Sequence, residues 1–158
     1  MIGETAASEA LQARRLGEIG LDNFPPYLMN RIMGRYNGRL RGQMASLGFT
    51  TAKMRSLSVL TLIDGILIRD LSSYAVVEQS TLSRTLDSLA ADGLVTREPD
   101  KDDSRATRVY VTDEGRDAFE RLWPSMSDSY QQMFDGIPDA ERQAFVATLH
   151  KILTNVKF

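Results

Sequence analysis

Glu78-Gln79-Ser80-Thr81-Leu82-Ser83-Arg84-Thr85-Leu86-Asp87-Ser88-Leu89-Ala90-Ala91-Asp92-Gly93 decides how the rest of the chain is read. Leu82, Leu86 and Leu89 share one face of a helix over residues 78–91, and Asp92-Gly93 forms its stop. Gln79, Ser80, Thr81, Ser83, Arg84, Asp87 and Ser88 cover the remaining surface. Ser and Thr are middling helix formers that compete for backbone hydrogen bonds, so a helix face built from them calls for a reason. Contact with DNA is one: a helix fits the major groove, hydroxyls and an amide reach phosphates and base edges, and Arg84 pairs with guanine. The other reading is an ordinary amphipathic helix with a solvated polar face, and this helix alone does not decide between them.

Upstream, a short helix is expected over about residues 66–73. It is joined to the first by Tyr74-Ala75-Val76-Val77, too few residues for an element of their own. Two short helices linked by a brief turn make a helix-turn-helix. Downstream, Leu94-Val95-Thr96-Arg97-Glu98 and residues 107–112 read as two strands, the second alternating Val109 and Val111 with Arg108 and Tyr110. Between them lies Pro99-Asp100-Lys101-Asp102-Asp103-Ser104-Arg105-Ala106, a polar loop with no expected core residue. Such a hairpin lays Lys101 and Arg105 along the phosphate backbone and sets one cation in the minor groove. Asp103 is placed to hold the Arg105 guanidinium through a bidentate pair. Taken alone the loop is a charged, acid-rich turn.

Long helices flank this unit. After a start expected to be mobile, Pro25 and Pro26 open a segment in which Leu28, Ile32, Tyr36, Leu40 and Met44 recur every four residues until Gly48. Arg31, Arg35 and Arg39 form a neighbouring stripe, which suits an anionic ligand but is more often a solvated face. Thr50 or Thr51 caps the next helix, with Met54, Leu57, Leu60 and Leu62 as its apolar positions and Gly65 as its close. Beyond the hairpin one helix carries Phe119, Leu122, Trp123, Met126, Tyr130 and Phe134, with Pro124 expected to kink it. Another runs from Pro138 through Phe145, Leu149, Ile152 and Val156.

Composition narrows the function. A chain of 158 residues with 42% hydrophobic and 25% charged residues suits one compact globular domain. No apolar run approaches the roughly 18–20 residues of a membrane span. Glu4, Glu9, Arg14, Arg15 and Glu18 break up the first twenty residues, so neither a signal peptide nor a membrane partner is expected and the cytoplasm is the expected location. Cysteine is absent, which removes disulfides and thiol-based sensing, and His150 is the single histidine, read as a surface or interface residue. The phosphate-binding loop patterns, H-E-x-x-H and G-x-S-x-G are all missing, so no catalytic residue, metal or cofactor is expected. The net charge of −2 runs against a broadly basic DNA-binding face. Cations placed locally near phosphate outweigh that total.

With these segments in order, the chain resembles the MarR family of bacterial transcriptional regulators. Ser80-Thr81-Leu82-Ser83-Arg84-Thr85-Leu86-Asp87-Ser88-Leu89 is similar to the family's recognition helix, and Asp92-Gly93-Leu94-Val95-Thr96-Arg97 to its exit into the wing. Asp103-Ser104-Arg105 resembles the wing's D-x-R, and Val109-Tyr110-Val111-Thr112-Asp113-Glu114-Gly115 the approach to the L-T-x-x-G that starts the next helix. The specific likeness covers residues 71–116. Three positions depart from it: Glu78 replaces a capping Ser, Thr or Asp, Val76 a common turn glycine, and Val111 a leucine.

The resemblance implies a mainly α fold with a small β-hairpin wing, a winged helix-turn-helix carrying N- and C-terminal dimerisation helices. Residues 1–158 form one such domain, with dimerisation helices over 24–48 and 116–158 and a DNA-binding lobe over 49–115. It implies a homodimer on a pseudo-palindromic double-stranded operator, contacted by Gln79, Ser80, Thr81, Ser83, Arg84, Ser88, Lys101, Asp103 and Arg105. Repression relieved by a small aromatic or anionic effector also follows from it, with a binding site where the dimer helices meet the lobe. Tyr27, Arg31, Tyr36 and Trp123 are candidates for that site, as are Met29 and Met33, although aromatics and Met at helical spacing usually pack into cores or interfaces. The competing function is a winged-helix module that binds protein instead of DNA.

Overall fold

The computed structural model describes residues 15–156. The expectations that fall on residues 1–14, the lack of a leader and a mobile start, lie outside the described residues. From Arg15 onward the start is ordered into α1 (Leu16–Ile19) and a 3-10 turn (Leu21–Asn23). Helix α2 (Pro25–Ser46) follows, its two prolines occupying the first turn, where a missing amide costs no helical hydrogen bond.

The Thr50 hydroxyl caps α3 (Thr51–Leu62) by accepting from the Lys53 amide at 3.1 Å. Met54, Leu57 and Leu60 are buried as expected, but Leu62 is 86% exposed. Two residues past Leu60 is about 200° further round a helix, so Leu62 points away from the stripe it was assigned to.

The short helix expected from Ile66 begins two residues late. Ile66–Leu67 is instead a strand, β1, paired antiparallel with the hairpin through Ile66↔Val109 and Leu67↔Arg108. Helix α4 (Ile68–Ala75) then takes in Tyr74 and Ala75, and α5 (Gln79–Ala91) follows the turn at Val76 and Val77. Gly65 makes the bend into β1 with φ +73°, and a Cβ there would stand 2.7 Å from the Tyr110 ring. Strands β2 (Val95–Pro99) and β3 (Thr107–Val111) form the hairpin, in register from Val95↔Val111 to Pro99↔Thr107. The sheet order is β1-β3-β2.

Helix α6 (Asp113–Met133) runs through Pro124 as one helix, and α7 (Asp139–Asn155) follows a short turn. One core cluster joins Leu57 and Leu60 of α3, Leu71 and Ala75 of α4, Leu82, Leu86 and Leu89 of α5, and Val95, Val109 and Val111 of the hairpin. A second joins Leu40 and Met44 of α2 to Met54 of α3 and Leu122 of α6. The α2 stripe is therefore split: Leu40 and Met44 are buried, whereas Leu28 and Ile32 stay exposed. Helix α7 contributes no buried residue among those described, and Phe145, Val146, Leu153 and Val156 face outward. What ties it to α6 is the Phe134–Phe145 contact and the hydrogen bond from Arg142 to the Tyr130 hydroxyl. His150 is exposed, as the sequence suggested.

The glycine that ends the Val109-to-Gly115 motif has a packing reason. Thr112 caps α6 through the Gly115 amide and donates its hydroxyl hydrogen to the Gly93 carbonyl at 2.7 Å, drawing the start of α6 onto the exit from α5. A Cβ on Gly115 would lie 2.1 Å from the Leu94 carbonyl oxygen. Gly115→Ala is therefore expected to lower stability by about 1–3 kcal/mol, the usual range for overpacking. Urea unfolding followed by circular dichroism measures it, and an unshifted midpoint would contradict the close approach.

Candidate nucleic-acid interface

Helix α5 turns Leu82, Leu86 and Leu89 into the core and thereby fixes which residues are left for a ligand. Gln79, Ser80, Thr81, Ser83 and Arg84 are exposed along one continuous surface, and Ser88 is half-buried near its end. Thr85 is buried and donates its hydroxyl hydrogen to the Thr81 carbonyl at 2.8 Å, so it is unavailable for outside contacts. Asp87 pairs with Arg97 of β2 at 2.8 Å, fastening the helix to the root of the hairpin. Asp92 pairs with Lys53 of α3 at 2.7 Å. Glu78 sits at the N-cap without a side-chain cap, so the helix starts with its first amides uncovered by any side-chain oxygen.

The hairpin tip holds a residue the sequence reading missed. Asp100 was placed in a loop without core residues, yet it is buried. Its Oδ1 accepts from the Asp102 amide at 2.9 Å and the Asp103 amide at 3.0 Å, while Oδ2 accepts from Arg108 Nε. Arg108 also donates to the Gly65 carbonyl at 2.7 Å, so one chain of charge-assisted bonds links the tip to the turn before β1. Hydrogen bonds from the Asp102 and Asp103 amides, reinforced by Arg108, hold the Asp100 carboxyl below its usual pKa. No local pattern announces such a residue, because Asp100, Asp102 and Asp103 are alike in sequence and only the fold of the loop distinguishes them.

Asp103 also differs from expectation. Its carboxylate accepts from the backbone amide of Arg105 at 3.0 Å rather than pairing with the guanidinium. A two-residue separation lets the short Asp side chain reach the backbone first, in the manner of an Asx turn. Lys101, Asp103 and Arg105 all remain exposed at the tip. Among the described residues, Arg84, Lys101 and Arg105 enter no ion pair, unlike Lys53, Arg97 and Arg108. Arg69 at the start of α4 lines the same cleft as Arg105, a further cation that sequence distance concealed.

A cavity of about 570 Å³ lies where α2 and α6 meet α3 and α4. Met33, Tyr36, Leu40, Met54, Val59, Tyr74 and Met126 supply apolar walls, with Asn37, Ser58 and Arg55 as polar groups. A groove of about 460 Å³ between α2 and α6 carries Arg35 and Arg39 beside Ile32 and Met133. Tyr36 lines both, and burial pushes its phenol pKa up against the opposing pull of Arg55. Of the other candidates, Met33 lines the larger cavity, but Tyr27, Met29, Arg31 and Trp123 line neither space. Tyr27 and Arg31 lie on the opening turns of α2 and face each other, Arg31 Nη1 standing 3.4 Å from the Tyr27 hydroxyl. Trp123 is half exposed against Phe119, because its neighbour Leu122 takes the inward position on α6. Arg55 was not singled out, since an arginine next to Met54 on an amphipathic helix reads as a surface residue.

The sequence model described as MarR family matches residues 47–106. The chain is 26% identical over 140 residues to the HTH-type transcriptional repressor IacR of Pseudomonas putida, covering 89% of this chain and 84% of the relative. A MarR family transcriptional regulator from Silicibacter pomeroyi, solved as a crystal structure, is 58% identical and superposes with a TM-score of 0.86, covering 91% of this chain and 97% of that one. BpsR of Bordetella bronchiseptica, whose DNA binding is regulated by 6-hydroxynicotinic acid, is 25% identical with a TM-score of 0.70, covering 80% of this chain and 96% of that one.

Because folding depresses the Asp100 pKa, the order it confers on the wing tip is present above the ordinary carboxylate range and is lost as pH falls through the depressed value. An NMR pH titration should show the Asp100 side-chain carboxyl carbon shift moving with an inflection below the reference value of about 3.9. An inflection at or above that reference would mean the carboxylate is not held by the Asp102 and Asp103 amides.

Proposed function

The chain belongs to the MarR family of transcriptional regulators, and from that premise we propose that it acts as a homodimeric repressor on a pseudo-palindromic operator, released by a small anionic effector. The observation that carries the DNA contacts is the division among its cations. Lys53, Arg97 and Arg108 are spent within the fold, while Arg84 on α5 and Arg105 at the wing tip stand exposed and unpaired among the described residues.

In this reading α5 enters the major groove, where Arg84 pairs with a guanine and Gln79, Ser80, Thr81, Ser83 and Ser88 reach bases and phosphates. Lys101 and Arg105 follow the backbone into the minor groove, and Asp103 sets the Arg105 backbone without touching DNA. The exposed apolar residues of α7, together with Leu28, Ile32 and Met33 of α2, supply the face that a second copy covers. Residues 24–48 and 116–158 then serve as the dimerisation helices and residues 49–115 as the DNA-binding lobe, and two lobes related by a twofold axis bind half-sites about one helical turn apart.

The cavity between α2, α3, α4 and α6 suits an effector with an apolar body and one negative group, because Arg55 is the single charged residue among those lining it. BpsR, which responds to 6-hydroxynicotinic acid, offers a precedent of the same chemistry. The family is one of transcriptional regulators rather than of enzymes. No helix among the described residues is long and apolar enough to cross a membrane. The proposed place of action is the cytoplasm, where a chromosomal operator is met.

Fluorescence anisotropy on DNA from upstream of the protein's own gene, against shuffled DNA across a salt series, tests this reading. Arg84→Ala is expected to cost about 1–3 kcal/mol of specific binding, roughly 5- to 150-fold, and to narrow the preference for native DNA. Lys101→Ala should weaken both DNAs alike and flatten the salt dependence by about one unit of slope per half-site. Indifference of native-DNA binding to loss of both Arg84 and Arg105 would favour a winged helix that binds protein.

A further inference from the structure

Val76 is the single non-glycine residue with positive φ among those described, at φ 52° and ψ 52°. A β-branched residue in the left-handed region is an outlier, and such a conformation persists only where its surroundings over-determine it. It sits in the turn between α4 and α5, so its conformation sets the angle at which α5 leaves the core. The Val77 amide donates to the Ser72 carbonyl at 3.1 Å, and the Ser72 hydroxyl donates to the Val77 carbonyl at 2.7 Å, which fixes the residue after it. The Val76 amide donates within the turn, to the Ser73 carbonyl at 3.3 Å, whereas its carbonyl is held from outside, by Arg55 of α3.

Arg55 Nη1 donates to the Val76 carbonyl at 3.3 Å, and Nη2 donates to Asn37 Oδ1 of α2 at 3.0 Å. One guanidinium thus spans a flanking helix, the lobe and the turn before α5. It lines the cavity of about 570 Å³ and also a polar cleft of about 400 Å³ that opens at Glu78 and Thr81. Both of its acceptors are neutral, and it enters no ion pair among the described residues. A carboxylate within reach makes a stronger bond to a guanidinium than either neutral oxygen does.

We propose that Arg55 is a latch, a positioning residue that holds the strained Val76 turn and is drawn off it by the negative group of a ligand. Release of the Val76 carbonyl frees the turn to relax and shifts Gln79, Ser80 and Thr81 away from their DNA-reading position. This rests on the DNA-binding and effector reading above. It adds the atom-level step by which the cavity acts on α5, and it requires no covalent change.

The latch is testable without knowing the ligand. In a double-mutant cycle read by operator anisotropy, Arg55→Ala is expected to weaken binding about tenfold, within the usual 5- to 150-fold span of coupling between sites. Val76→Gly removes the strain, so adding Arg55→Ala to it should cost less than about twofold. Equal losses in both backgrounds would overturn the latch. Ser58 lines the cavity one helical turn from Arg55, so Ser58→Asp places a carboxylate beside the guanidinium, and Ser58→Asn gives the same bulk without the charge. Ser58→Asp is expected to bind operator about tenfold more weakly than Ser58→Asn, a gap that Arg55→Ala should close. Matching affinities for the two Ser58 variants would overturn the proposal. Thermal melts of each variant identify any that fail to fold. If wild-type protein shows no preference for the upstream DNA, the regulator reading is what fails. Amide hydrogen exchange at Val77 to Ser80 then still reads the latch, and exchange no faster in Ser58→Asp than in Ser58→Asn would overturn it.

Discussion

Leu82, Leu86 and Leu89 are removed from water against Leu57, Leu60 and Leu71, and the orientation of α5 depends on that burial. Each such leucine contributes about 1.5–3 kcal/mol, so rolling the helix to bury another face would forfeit several of these contributions at once. With the inner stripe fixed, Gln79, Ser80, Thr81, Ser83 and Arg84 have one direction left to face. Ion pairing then adds precision at the far end: Asp87 with Arg97 joins the helix to β2, and Asp92 with Lys53 joins its exit to α3. The direction of the polar surface offered to a ligand is thus set by the apolar surface behind it.

The hairpin solves a different problem. Its tip has no large apolar residue to anchor it, and a loop of seven residues, 100–106, would otherwise sample many shapes. Asp100 takes the place of a core residue by accepting two backbone amides and a guanidinium, and Arg108 carries the connection to Gly65. The acidic character of the loop is therefore partly structural. Of its three aspartates, one is buried in this network and another is turned to the Arg105 amide, which reduces the contradiction between a net charge of −2 and an anionic partner.

The two core clusters meet along α3, which contributes Leu57 and Leu60 to one and Met54 to the other. Between them packing is incomplete, and the cavity bounded by Tyr36, Met54, Tyr74 and Met126 opens there. A seam between two well-packed bodies is where relative movement disturbs the fewest contacts. Arg55 spans that seam with two hydrogen bonds to neutral acceptors, which a carboxylate can outcompete, whereas the leucines beside it are held by burial.

The sequence alone determined the helices and the hairpin, since a buried stripe or an alternating strand is written in residues near each other along the chain. It also placed the DNA-facing candidates on α5 and the wing, because the residues that must be buried identify those that cannot be. Features built from distant segments were decided by tertiary structure. The two-residue strand β1 exists because β3 offers it partners, Leu62 is exposed because its helix is already committed to Leu57 and Leu60, and Asp100 is buried because Arg108 and two amides converge on it. The cavity followed the same rule: Tyr36 lines it, while Tyr27, Arg31 and Trp123 do not and Arg55 does. Periodicity records that a face is buried, but not against what, and a cavity or a buried charge is defined by the groups that meet there.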